Sequence, residues 1–170
     1  QTGDNGRFVR EWWEPSNGRT GFDCDSREES IERRTKWFPY NKGGEYRKWY
    51  GNQEFVVNWE NDGEGIRSFG TEDGGHSKSR PQNLNAYFLP SVSWSLISSG
   101  ELSFRMFPLG FVFDHASGSF LFSEASTGYN ICGILNSSFA RGILQAIAPT
   151  LNANVGQIGQ IPFTLAQPKI

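Results

Sequence analysis

Residues 36–59 read KWFPYNKGGEYRKWYGNQEFVVNW. The stretch interleaves cations with flat aromatic rings and is punctuated by glycines; Lys42-Gly43-Gly44 marks a tight turn, and Phe55-Val56-Val57-Asn58-Trp59 reads as a strand. The same residues carry chemistry. Lys36, Lys42, Arg47 and Lys48 can neutralise phosphates, while Trp37, Tyr40, Trp49, Tyr50 and Trp59 can stack on bases or support the backbone that carries the cations. Asn41, Asn52 and Asn58 bring the side-chain amides that match adenine edges. A competing reading is open from spacing alone: aromatic, glycine-rich stretches are also what core strands and their turns look like.

Working outward, 170 residues fit a single domain, 1–170, large enough to bury a core without staples. Twenty Gly and eight Pro, with many Asn and Ser, favour strands joined by frequent turns over long helices. The fold class expected is α+β, strand-rich and mixed, with short helices at its margins. Ser26-Arg27-Glu28-Glu29 has the form of a capping box, which predicts a short helix near residues 27–34. Residues 61–85 are polar and glycine-rich around Asp73-Gly74-Gly75 and read as the mobile loop. From Val92 the period becomes two: Val92, Trp94 and Leu96 alternate with serines, and Leu102, Phe104 and Met106 alternate with Ser103 and Arg105. These read as paired strands around Ser98-Ser99-Gly100, with Phe111-Val112-Phe113 and Phe120-Leu121-Phe122 continuing the same sheet. Ile131, Ile134, Leu135, Phe139, Ile143 and Ile147 fall at helical spacing. They predict a helical pair near 128–148, broken at Asn136-Ser137 and ended by Pro149.

The net charge is −2, so the chain lacks the strongly basic balance of a free-standing nucleic-acid binder. Its distribution is uneven. Residues 27–50 carry seven Lys or Arg against four Glu, a balance of +3, and residues 51–100 carry three basic against six acidic side chains. A fold that gathers the first segment makes one positive face. Cys24 and Cys132 have no ligand-spaced neighbours, so no metal is expected, and two free buried thiols in a reducing cytoplasm is the preferred reading. No apolar run is long enough to span a membrane. The chain begins Gln1-Thr2-Gly3-Asp4-Asn5 without Met, which suggests a fragment of a longer protein.

Catalytic constellations are sparse. Asp114-His115 has no nucleophile elbow near it, and adjacent strand residues face opposite ways. His76 sits in a polar loop. Asn136-Ser137-Ser138 matches a glycosylation acceptor but falls inside the helical segment, and Gly70 to Gly75 lacks the Lys-Ser/Thr sequel of a phosphate-binding loop. No catalytic residue is assigned.

Several segments together carry a resemblance: Thr2-Gly3-Asp4-Asn5 with Arg7-Phe8, WFPYNKGGEYRKWYGN at 37–52, VNWENDG at 57–63, SRPQN at 79–83 and WSLISS at 94–99. Pro108-x-Gly110-Phe111-x-Phe113-Asp114, Leu135-Asn136-Ser137, Pro149-Thr150-Leu151-Asn152 and Val155-Gly156-x-Ile158-x-x-Ile161-Pro162 extend it along nearly the whole chain. The chain resembles the C-terminal part of the adenine-specific DNA methyltransferases of bacteriophage-exclusion (BREX) systems, the PglX family. In that family the catalytic half lies upstream, binds S-adenosylmethionine and carries an Asn-Pro-Pro-Tyr motif, and this chain has no Pro-Pro. The resemblance therefore implies a target recognition domain without its methyltransferase core, similar in fold to the target recognition domains of restriction-modification systems. Implied with it are a cytoplasmic location, double-stranded DNA as partner, other phage-defence proteins as further partners, and no cofactor in this part.

From chemistry, Lys36, Lys42, Arg47 and Lys48 are the candidates for phosphates, and Tyr40, Asn41, Asn58 and Arg80 for base edges. Arg47 or Lys48 could instead pair with Glu45 or Glu54. The main alternative function is a module that binds other proteins of the defence complex without reading DNA; a sugar-binding domain with stacking tryptophans is a third.

Overall fold

A computed structural model describes residues 3–71, 74–97, 100–147 and 153–162. Among the described residues the chain is α+β, with two sheets and six short helices. The strands are β1 (Val9–Glu11), β2 (Trp37–Asn41), β3 (Phe55–Asn58), β4 (Ser91–Ser95), β5 (Arg105–Phe107), β6 (Val112–Phe113) and β7 (Ser117–Leu121). The first sheet runs β1-β3-β2-β6 and the second β5-β4-β7.

The opening stretch supplies the centre of the first sheet. β2 and β3 pair antiparallel, Phe38 against Val57, and β1 lies on the far side of β3 with Val9 opposite Val57. The Lys42-Gly43-Gly44 turn does take positive φ at both glycines (75° and 132°), but it opens a long loop back to β3 rather than closing a hairpin. β6 pairs parallel with β2, Tyr40 against Val112. This corrects the expectation that Phe111-Val112-Phe113 continues the sheet of Val92: its chain neighbours β5 and β7 flank β4, while β6 itself crosses to the other sheet.

The second sheet pairs Val92 with Met106 and, on the other edge, Val92 with Phe120, as the alternation predicts. Ser98 and Ser99 of the expected turn lie outside the described residues. The serine face, however, is not solvated. All five residues of β4 are buried, because Ser93 and Ser95 point toward the junction with the first sheet instead of water. Ser93 Oγ accepts from Asn41 Nδ2 at 2.7 Å and donates to Gly118 O at 2.7 Å.

Each sheet has its own apolar cluster. Phe8, Phe38, Trp59, Tyr87 and Phe88 fill the first. Val92, Trp94, Phe104, Ile131, Leu135, Leu144 and Ile158 fill the second. The helices covering the second are α4 (Ala125–Leu135), α5 (Ser138–Ile147) and α6 (Val155–Ile158). α4 starts three residues before the position expected, and Pro149 lies outside the described residues. The break between α4 and α5 has a clear cause: Asn136 turns its amide onto the backbone of Phe104, donating to its carbonyl (2.8 Å) and accepting from its N–H (3.2 Å). Ser137 Oγ then accepts from the Ala140 N–H and caps α5.

Three other helices remain, two before β2 and one after β3. α1 (Asn5–Phe8) is one turn, and α2 (Arg27–Glu32) is capped by Ser26, whose Oγ accepts from the Glu29 N–H at 3.2 Å. α2 stops short of the predicted Arg34, which has φ 51°. α3 (Glu60–Arg67) corrects the reading of 61–85 as one loop. Asn61, Asp62 and Gly63 form a left-handed turn before the right-handed one, and a Cβ on Gly63 would lie 2.5 Å from the Trp59 ring, so only glycine fits there. Arg27 reaches from α2 to hold Asp62 with two hydrogen bonds of 2.7 and 2.6 Å. Asp73, at the centre of the expected loop, lies outside the described residues.

Candidate nucleic-acid interface

The eight residues chosen from sequence fall into three environments. Tyr40 and Asn41, at the end of β2, are buried (2 % and 0 % exposed). Burial first, then the Asp114 carboxylate and the hydrogen bond to it, push the Tyr40 hydroxyl well above the ordinary phenol range. Asn41 donates to Ser93 and accepts from the Gly43 N–H at 3.3 Å, while its carbonyl accepts from the Asp114 N–H. In this arrangement Asn41 joins the two sheets and Tyr40 is held within the core of the first, and neither side chain faces a solvent-borne ligand.

Lys36, Asn58, Arg47 and Lys48 are partly accessible but have partners. The Lys36 ammonium is 5.8 Å from the Trp37 ring centre. Asn58 Oδ1 accepts from the Glu60 N–H at 3.3 Å at the start of α3. Arg47 pairs with Glu54 at 2.9 Å, one of the two carboxylates foreseen for it. Lys48 Nζ donates to the Asn136 carbonyl at 3.4 Å, where a cation also suits the end of α4. Lys42 and Arg80 form the third group. Lys42 lies over the Phe55 ring at 4.6 Å, and Arg80 is exposed with no hydrogen bond or ion pair among the described residues.

The loop carrying Arg47 and Lys48 holds its backbone in and its rings out. Trp49, at φ 72°, donates through its N–H to Phe104 O and accepts from the Met106 N–H, both at 2.9 Å. Arg105 lies fully buried beneath, donating to the Glu45 and Arg47 carbonyls and to Ser95 and Ser103. Its burial lowers the guanidinium pKa. Above this anchor Tyr46, Trp49 and Tyr50 are exposed, Tyr50 by 70 %. Trp12 and Trp13, also exposed, stack edge to face at 5.7 Å, and the Trp12 N–H donates to Glu54 O.

Arg80 and Lys42 line two adjoining hollows that sequence reasoning did not locate. A cleft of about 1170 Å³ opens between residues 77–87 on one wall and residues 113–121 with 154–156 on the other. A smaller cavity of about 490 Å³, lined by Lys42, adjoins it and shares Leu96, Asp114 and His115. Lys78, Gln82, Asn83 and Asn85 line the first wall with Arg80. The signal was present in Ser77-Lys78-Ser79-Arg80-Pro81-Gln82-Asn83-Leu84-Asn85, two cations and three amides in nine residues, but the longer aromatic stretch drew the reading away from it.

Among the described residues no group of His, Cys, Asp and Glu could hold a metal ion. Cys24 and Cys132 are free and buried, and burial raises both thiols, which leaves them poor nucleophiles. Asn136, in the glycosylation-like triplet, is buried with its amide engaged. No helix among the described residues is long and apolar enough to cross a membrane.

Compared with known proteins, the chain matches no family model, but it is homologous to one segment of the adenine-specific methyltransferases. It is 38 % identical over 162 residues to the adenine-specific methyltransferase PglX of Lacticaseibacillus casei (strain Zhang), covering 95 % of this chain and 13 % of that protein. It is 35 % identical over 158 residues to the adenine-specific methyltransferase BrxX of Escherichia coli O9:H4 (strain HS), covering 91 % of this chain and 12 % of that protein. The chain thus spans only a small part of the length of these relatives.

Proposed function

We propose that this chain is a DNA-binding target recognition domain, working in the cytoplasm and lending sequence specificity to an S-adenosylmethionine-dependent N6-adenine DNA methyltransferase of a phage-defence system. The observation that carries the reading is the homology of more than nine-tenths of the chain to a segment of adenine-specific methyltransferases. An enzyme that modifies a base must take it out of the stack, and another part must hold the duplex in register meanwhile. Phosphate contacts position the duplex and base-edge contacts choose the site. Arg80, Lys42 without an ion pair, and the outward rings of the Trp49 loop supply groups of both kinds.

In this reading methyl transfer belongs to the remainder of the enzyme: the one carboxylate lining the cleft, Asp114, takes up the Tyr40 hydroxyl, and the wall of Lys78 and Arg80 is unfavourable to a sulfonium, which supports that division. The test is fluorescence anisotropy of a labelled random-sequence duplex at two salt concentrations. Binding that collapses with salt is expected. Salt-independent binding, or none even when the chain is joined to a methyltransferase part, refutes the reading.

The exposed Trp12, Trp13 and Tyr50 favour a second reading, a module that binds other phage-defence proteins. Under it, Trp13→Ala with Tyr50→Ala abolishes assembly and leaves the sequence preference of the methyltransferase unchanged.

A further inference from the structure

The cleft between residues 77–87 and 113–121 differs in shape from the Trp49 loop, and shape decides what each can touch. A concave surface receives a convex one. On a duplex the convex element is the sugar–phosphate ridge, whereas base edges lie at the bottom of grooves and are reached by something that protrudes. The chemistry of the walls agrees with the shape. Lys78 and Arg80 are exposed and without an ion-pair partner among the described residues, although the Lys78 ammonium lies 5.9 Å from the Phe69 ring centre. The side-chain amides of Gln82, Asn83 and Asn85 beside them are exposed and make no hydrogen bond there. Arg, Lys and amide side chains are the ordinary donors to phosphate oxygens. Opposing charge is slight, since Asp114 is the one carboxylate lining the cleft and it already accepts from Tyr40. The floor is apolar at Leu96 and Phe113, which suits the deoxyribose. Through His115 the cleft continues into the cavity of Lys42, so the positive groups form a track rather than a spot.

We propose that this cleft holds the sugar–phosphate backbone of one DNA strand, with Lys78 and Arg80 on phosphates, and that it sets the register of the duplex without reading its sequence. The inference rests on the DNA-binding reading above.

The experiment is the slope of log affinity against log salt for the wild-type chain, the double variant Lys78→Ala with Arg80→Ala, and Val155→Glu, each with two duplexes of unrelated sequence. Each phosphate neutralised contributes about 0.9 to that slope. The double variant is expected to lower it by about 2 and to weaken both duplexes by the same factor. Val155 is exposed on the opposite wall, where a carboxylate changes little in the fold but faces the strand, so Val155→Glu is expected to weaken both duplexes roughly tenfold or more at low salt. An unchanged slope in the double variant overturns the inference and leaves the DNA-binding reading standing. An effect in the double variant but none for Val155→Glu also overturns it, because the two cations would then act from outside the cleft. A loss confined to one sequence overturns it in favour of base reading. If the wild-type chain shows no salt-sensitive binding, alone or joined to a methyltransferase part, both readings fall together.

Discussion

Replacing Asn41 by alanine separates a structural role from a DNA-reading one. The side chain is wholly buried at the junction of the two sheets, 52 residues in sequence from the serine it binds. Alanine leaves the buried Gly43 N–H without its acceptor, at a cost of about 1–3 kcal/mol, and removes the bond to Ser93, worth about 0.5–1.5 kcal/mol. Ser93 itself keeps Gly118 O as its acceptor, so its hydroxyl adds little to the loss. The expected destabilisation is about 2–4 kcal/mol, or roughly 5–15 °C in Tm for a domain of this size. Urea unfolding followed by tryptophan fluorescence measures it, with Trp59 and Trp94 buried in the first and second clusters and reporting on both. Lys42→Ala, one residue along and pointing out, should stay within about 0.5 kcal/mol of the wild type. An Asn41→Ala variant as stable as the wild type refutes the burial argument. If that variant also bound DNA less tightly, Asn41 would return to the list of base-reading residues.

Two further predictions concern stability. The Arg27 hydrogen bonds hold the Asp62 carboxyl below its usual range, with Arg67 adding at 3.1 Å. A depressed carboxyl stabilises the fold above its unfolded pKa of about 3.9, and the contribution disappears as pH falls through the folded value. Asp62→Asn should therefore be less stable than the wild type at neutral pH and converge with it in acid. A stability gap that stays constant down to pH 2 contradicts this. Gly118→Ala, at the second residue of β7, would place a methyl group 2.3 Å from the Trp94 ring. A loss of at least about 2 kcal/mol is expected, with a shift of the buried tryptophan emission, and a variant indistinguishable from the wild type by thermal melt would show that this packing is wrong.

Much of the local structure was legible because its causes lie within a few residues. The Ser26 cap, the Ser137 cap that opens α5 and the alternation from Val92 each depend on groups close in sequence or on a simple period, although Asn136 also needs Phe104, 32 residues away, to take up its amide. The left-handed turn at Asn61–Gly63 was missed because its reason is Trp59 packing over Gly63, which polarity alone does not reveal. The site was legible in part. Lys42 and Arg80 lie on the adjoining cavities, yet Tyr40 and Asn41 carry the right chemistry for bases and spend it inside the protein. Residue type states what a side chain can bind, and only packing states whether it is free to do so.

The sequence by itself determined an α+β chain, the helical pair, the antiparallel strands of the Val92 sheet and the kinship with adenine-specific methyltransferases, since caps, periods and motif residues are properties of short segments. Tertiary structure alone decided that β6 leaves its neighbours to pair with β2, that the serine face of β4 is buried against Asn41, and that Lys78 and Arg80 line a cleft with residues 113–121. Those outcomes depend on contacts between segments tens of residues apart, where competing pairings differ by packing and by satisfaction of buried polar groups, and no local pattern carries that difference.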